Sequence, residues 1–112
     1  MKAFTNVCAQ GDILIHRIGE LPSGVSEVAP EGGQVIVTHS ETGHHHVMDR
    51  KTTTMYRLPE EIYECFLVVK EPTELKHLRP HDTHESIMFQ PGTYRVRRQR
   101  EYTPEGFRRV ED

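Results

Sequence analysis

The chain has 112 residues, a formal net charge of −3, few aromatics and no tryptophan. That length supports one hydrophobic core and not two, so residues 1–112 are expected to form a single β-barrel-like domain. The acidic balance argues against a general polyanion binder. No apolar run of bilayer length, signal-peptide h-region or lipidation signal is present, so we expect a soluble cytoplasmic protein with no membrane partner.

In chain order, short runs of β-branched and apolar residues alternate with turn signals. Strands are expected at Asp12 to Ile18, Gln34 to His39, His44 to Met48, Thr53 to Leu58, Glu64 to Lys70, Ser86 to Phe89 and Thr93 to Arg100. Residues Gly19 to Gly33, rich in Gly, Pro and Ser, read as a connection, as do Pro59-Glu60-Glu61, Glu71-Pro72-Thr73 and Gln90-Pro91-Gly92. Leu58 to Tyr63 could begin a short helix with Pro59 in its first turn. Otherwise helical periodicity is absent. The fold class is therefore all-β, a small single-domain barrel or sandwich of short antiparallel strands. Cys8 and Cys65 lack a CxxC partner, and free buried thiols are favoured over a disulfide between them.

The chemistry concentrates in Val35 to Met48. An apolar β-branched run enters the polar turn Ser40-Glu41-Thr42-Gly43, and Val47-Met48 leaves it, which is the pattern of a β-hairpin. With a four-residue loop, His39 and His44 stand opposite one another, and alternation returns His46 to the same face while His45 points away. Neutral imidazoles converging on a rigid hairpin are good ligands for a divalent transition metal, with zinc or iron first. A solvated His-rich loop is the plainer alternative.

A second cluster follows in Leu75 to Ile87, where Pro80 and its polar neighbours read as an irregular loop before the next strand. His81 and His84, separated by a two-residue spacer, could complete a coordination sphere begun by His39, His44 and His46. Glu41 and Glu85 are the weak candidates for a general base if the metal activates water or dioxygen. His16, inside the Asp12 to Ile18 strand, reads as a half-buried structural residue.

Charge is uneven along the chain. Residues 1–91 carry 8 Lys+Arg against 13 Asp+Glu, whereas residues 92–112 carry 6 Arg against 4 acids. On a strand, Arg95, Arg97 and Gln99 share one face and Tyr94, Val96, Arg98 and Arg100 the other. Such a patch, with Tyr102 and Phe107 beside it, could serve nucleic acid or a protein partner. Arginines paired with nearby acids on a charged exterior are favoured instead.

The run His-Ser-Glu-Thr-Gly-His-His-His-Val at 39–47 is one of three signatures. The others are His81-x-x-His84 ahead of a strand and Pro-Gly-Thr-Tyr, and the ending Arg-Gln-Arg-Glu-Tyr-Thr-Pro-Glu-Gly-Phe-Arg-Arg-Val from Arg98. Together they resemble a family of small uncharacterised proteins of bacteria and their phages, over about two thirds of the chain. That resemblance implies no substrate. A looser similarity is to cupins, small β-barrels that hold a metal with histidines from two motifs. Here the chain departs from the pattern, because Asp49 and Arg50 stand after His44-x-His46 where a glutamate is expected. Three classes follow: a metal-binding β protein, a cupin-like metal-dependent hydrolase or oxygenase, and an interaction module using the C-terminal arginines. The first is the expectation taken forward; a homo-oligomer is open.

Overall fold

A computed structural model describes residues 2–3, 6–10, 13–38, 46–61, 63–77, 86–98, 100–103 and 106–109. Every regular element among them is a strand: β1 (Lys2–Ala3), β2 (Val7–Gln10), β3 (Ile13–Ile18), β4 (Ser26–Val28), β5 (Gln34–Thr38), β6 (His46–Asp49) and β7 (Thr53–Arg57) come first. They are followed by β8 (Glu64–Val69), β9 (Thr73–His77), β10 (Ile87–Phe89), β11 (Gly92–Arg98), β12 (Arg100–Thr103) and β13 (Gly106–Arg109). One sheet runs β1-β10-β9-β6-β5, a second β2-β3-β11-β8-β7-β4, and β12 and β13 form a hairpin. Pairing is antiparallel except between β1 and β10. Neither large sheet closes on itself, so of the two expected architectures the protein takes the sandwich and not the closed barrel.

Alternation places the core. In β3, Ile13 and Ile15 are fully buried; in β11, Tyr94 and Val96 are; in β8, Cys65, Leu67 and Val69 face the same way. From the other sheet come Val35, Val37, Met48, Leu75, Ile87 and Phe89, and these residues make one contiguous core between the layers. Phe89 meets Tyr94 edge to face with ring centroids 4.6 Å apart, linking β10 in one sheet to β11 in the other. The Tyr94 hydroxyl donates to the Gln90 carbonyl, and the Arg17 guanidinium donates to the Pro91 carbonyl at 2.6 Å while lying 5.7 Å from the Tyr94 ring. These bonds close the short connection between the layers.

Entry into β5 is fixed by Gly32 and Gly33. Both have positive φ (57° and 80°), and Glu31 and Gln34 exchange backbone hydrogen bonds across them, the geometry of a two-residue hairpin turn that L side chains resist.

Several expectations need correction. Residues Gly19 to Gly33, read as a connection, contain β4, paired with β7. Leu75 to His77, read as the start of an irregular loop, belong to β9, where Thr73 and Leu75 are buried and Lys76 is exposed. The alternation was present, but it carries a single large apolar residue and begins beside Pro72. The short helix after Leu58 does not form: Glu61 N–H donates to the Leu58 carbonyl at 3.3 Å in a turn, and Glu60 takes φ 65°, which breaks a right-handed helix. The strand expected over Thr93 to Arg100 divides, β11 ending at Arg98 and β12 pairing with β13.

Candidate functional site

Of the expected metal ligands, His46 is described. It opens β6, two residues before the core residue Met48, so alternation turns it toward the space between the sheets, and it is 1% exposed. His39, Glu41, His44, His45, His81, His84 and Glu85 lie outside the described residues. Among the described residues no group of three or more His, Cys, Asp or Glu is close enough to hold a metal ion. His16 is half-buried on β3, as expected, with a buried Nδ1 that has no hydrogen-bond partner among the described residues.

The described backbone sets the strand ends that flank the two histidine segments side by side. The expected hairpin register is observed in Gln34↔Asp49, Val35↔Met48 and Ile36↔Val47, and then shifts by one residue at a bulge so that Thr38 faces His46. An extra residue on β5 bends that strand and interrupts the simple alternation used to carry His39 onto the face of His44 and His46. On its other side, β6 pairs with β9, and His46 stands opposite His77. Residues 39–45 therefore leave and re-enter the sheet at Thr38 and His46, and residues 78–86 leave at His77 and return at Ile87, itself paired with Leu75. Both segments issue from the same end of one sheet, from adjacent strands. Sequence reasoning missed His77 as the backbone partner of His46, because a pairing of residues 31 positions apart leaves no local pattern.

Facing this end from the second sheet is Cys65, whose thiol donates to the Val37 carbonyl at 3.7 Å. Burial pushes its pKa up from 9.0 to about 12; the nearby Arg57 opposes this and Glu64 adds to it. Cys8 and Cys65 are both free. They share a cross-strand row, Cys8–Ile15–Val96–Cys65, and three strand spacings, about 14 Å, separate them, too far for a disulfide.

The chemistry gives a checkable result. With its folded pKa raised above the unfolded value, the Cys65 thiol contributes stability that is complete below pH 9.0 and is lost as pH rises toward about 12. Tyr94, raised mainly by burial, acts in the same direction. Neither cysteine should react with a disulfide-exchange reagent in native protein at pH ~8, while both should react on unfolding. Native reaction at the rate of an exposed thiol would contradict the burial of these side chains.

Two other surfaces face outward. Val47 points away from His46 and, with Met88, floors an open groove of about 590 Å³ rimmed by Asp49, Lys51, Glu74 and Lys76. On the outer face of β11, Arg95 and Arg97 straddle Glu64 at 3.8 and 3.6 Å. These arginines are thus paired on a charged exterior, and Tyr94 and Val96 face the core on the opposite side. No helix among the described residues is long and apolar enough to cross a membrane.

No curated protein and no solved structure matches the chain. A family described as a domain of unknown function (DUF8820) matches residues 9–99, and the chain belongs to that uncharacterised family.

Proposed function

We propose that this protein binds a divalent transition metal, zinc or iron, with histidines gathered where residues 39–45 and 78–86 meet the five-stranded sheet. The observation that carries the reading is the register Thr38↔His46↔His77, which sets the ends of β5, β6 and β9 side by side. His39, His44 and His46 supply imidazoles from the first segment, and His81 or His84 completes the set from the second. The looser likeness to cupins rests on this use of histidines from two segments of a β fold. Two free buried thiols agree with a reducing cytoplasmic setting.

Elemental analysis of protein purified without a His tag or a nickel column is the direct test. Zinc or iron in near-stoichiometric amount, retained through dialysis and removed by a chelator, is the expected result. Metal at trace level in protein grown with zinc and iron supplied would end the proposal.

A further inference from the structure

Arg57 closes β7 in an unusual setting. Thr53 and Met55 on this strand are buried in the core layer, and alternation carries Arg57 to the same inner face. It stands one step beyond the pair Tyr56↔Phe66 and is therefore level with Cys65, whose ionisation it favours. The Arg57 side chain is partly buried, and its Nε is shut off from solvent and meets no hydrogen-bond acceptor among the described residues. The Arg95 Nε is likewise shut off without a hydrogen-bond partner, but it lies 3.8 Å from one Glu64 carboxylate oxygen, and the Arg97 Nε lies 3.6 Å from the other. An Nε–H in the position of Arg57 loses water without gaining an acceptor, a cost that a fold does not ordinarily carry for nothing.

The place is also specific. Cys65, beside Arg57, donates to the Val37 carbonyl, and the next residue, Thr38, faces His46. Arg98 lies at this same end on β11, two residues past the buried Val96, with its backbone N–H donating to the Tyr63 carbonyl at 2.8 Å. Arg57 thus stands inside one end of a sandwich whose chain is acidic overall. A guanidinium fork matches the paired oxygens of a carboxylate or phosphate.

We propose that Arg57 anchors an oxyanion site at this end of the sandwich, taking a small carboxylate or phosphate ligand. The site stands on Arg57 and does not require the metal, although an anion held there would lie at the end of the sheet to which the histidines are assigned.

Thermal unfolding of the full chain tests this, both as purified and after EDTA treatment, in inorganic phosphate, in acetate and in chloride of matched ionic strength. Phosphate or acetate should raise the midpoint over chloride in both preparations. Arg57→Met should weaken the affinity about tenfold or more, the loss of a charge-assisted hydrogen bond, and Arg57→Lys should fall between. Without oxyanion, Arg57→Met should unfold no earlier than the wild type, since it removes a buried, unsatisfied N–H. No oxyanion effect, or an equal effect in Arg57→Met, would overturn the site. Earlier unfolding of Arg57→Met in chloride would do so too, showing that a group of the chain itself already satisfies the arginine. Metal content measured on the same samples keeps the two proposals separate: an effect that disappears with EDTA and ignores Arg57→Met places the anion on the metal and overturns the assignment to Arg57.

Discussion

Phe89→Ala is expected to destabilise the protein by about 3–5 kcal/mol, the range for truncating a fully buried aromatic side chain. Phe89 is 0% exposed and sits where β10 delivers its last side chain into the core. Its edge contact with Tyr94 joins the two layers at 4.6 Å, and pairs of this geometry contribute about 0.5–1.5 kcal/mol beyond area burial. Truncation removes that contact and leaves a void that the Gln90-Pro91 connection cannot readily fill, because Arg17 and Tyr94 hold its carbonyls. At roughly 4–8 °C per kcal/mol for a domain of this size, the thermal midpoint should fall by more than ~12 °C. Val7→Ala is the control. Val7 is 56% exposed, and its loss should stay within about 0.5 kcal/mol. A Phe89→Ala cost below ~1 kcal/mol in denaturant unfolding would mean that the layers do not pack through this residue.

What could be read from the sequence follows from how locally each element is specified. Ile13-Leu14-Ile15, Val35-Ile36-Val37 and Cys65 to Val69 are dense enough in β-branched and apolar residues to announce strands by themselves, and β3, β5 and β8 lie there. In β9, by contrast, Thr73 and Leu75 do the inward packing while Glu74 and Lys76 flank them, and so short a pattern next to Pro72 resembles a loop. β4 has only Val28 packed on the core. Such strands form because a neighbour offers a ladder, which is a tertiary cause with no local signature.

The candidate site divides along the same line. The hairpin between β5 and β6 was legible, including the register of its inner three pairs, because the alternation of Val35, Val37 and Met48 fixes which side faces the core. The bulge near Val37 and the pairing of His46 with His77 were not, since both depend on what the sheet does around them. Nor did spacing disclose that His46 would be buried between layers instead of standing at a solvent-exposed tip. Arg57 was equally silent: it ends an unremarkable strand, and its environment arises only when β7 meets β8.

Metal removal is expected to produce the other large change. If residues 39–45 and 78–86 are tied together by one ion, binding energy is folding energy, and a site saturated a hundredfold over its dissociation constant adds about 2.7 kcal/mol. Chelation should then lower the thermal midpoint by roughly 10–20 °C. Single substitutions divide the contributions. His44→Ala and His46→Ala should each lose most of the metal, whereas His45→Ala should keep it, the outcome expected if the strand alternation read from the sequence sets residues 44 and 46 on one face and residue 45 on the other. His46→Ala carries a further cost of its own, since its side chain is 1% exposed and part of the packed end of the sandwich; its apo form should be less stable than the apo wild type. His81→Ala or His84→Ala should weaken affinity without that second loss. Affinity in the wild type should decline below pH ~6.5, where imidazole ligands hold their protons. Equal metal loss in all three variants of the His44-His45-His46 run would defeat the strand geometry, and a midpoint unmoved by verified metal removal would show that the ion does not hold the two segments together.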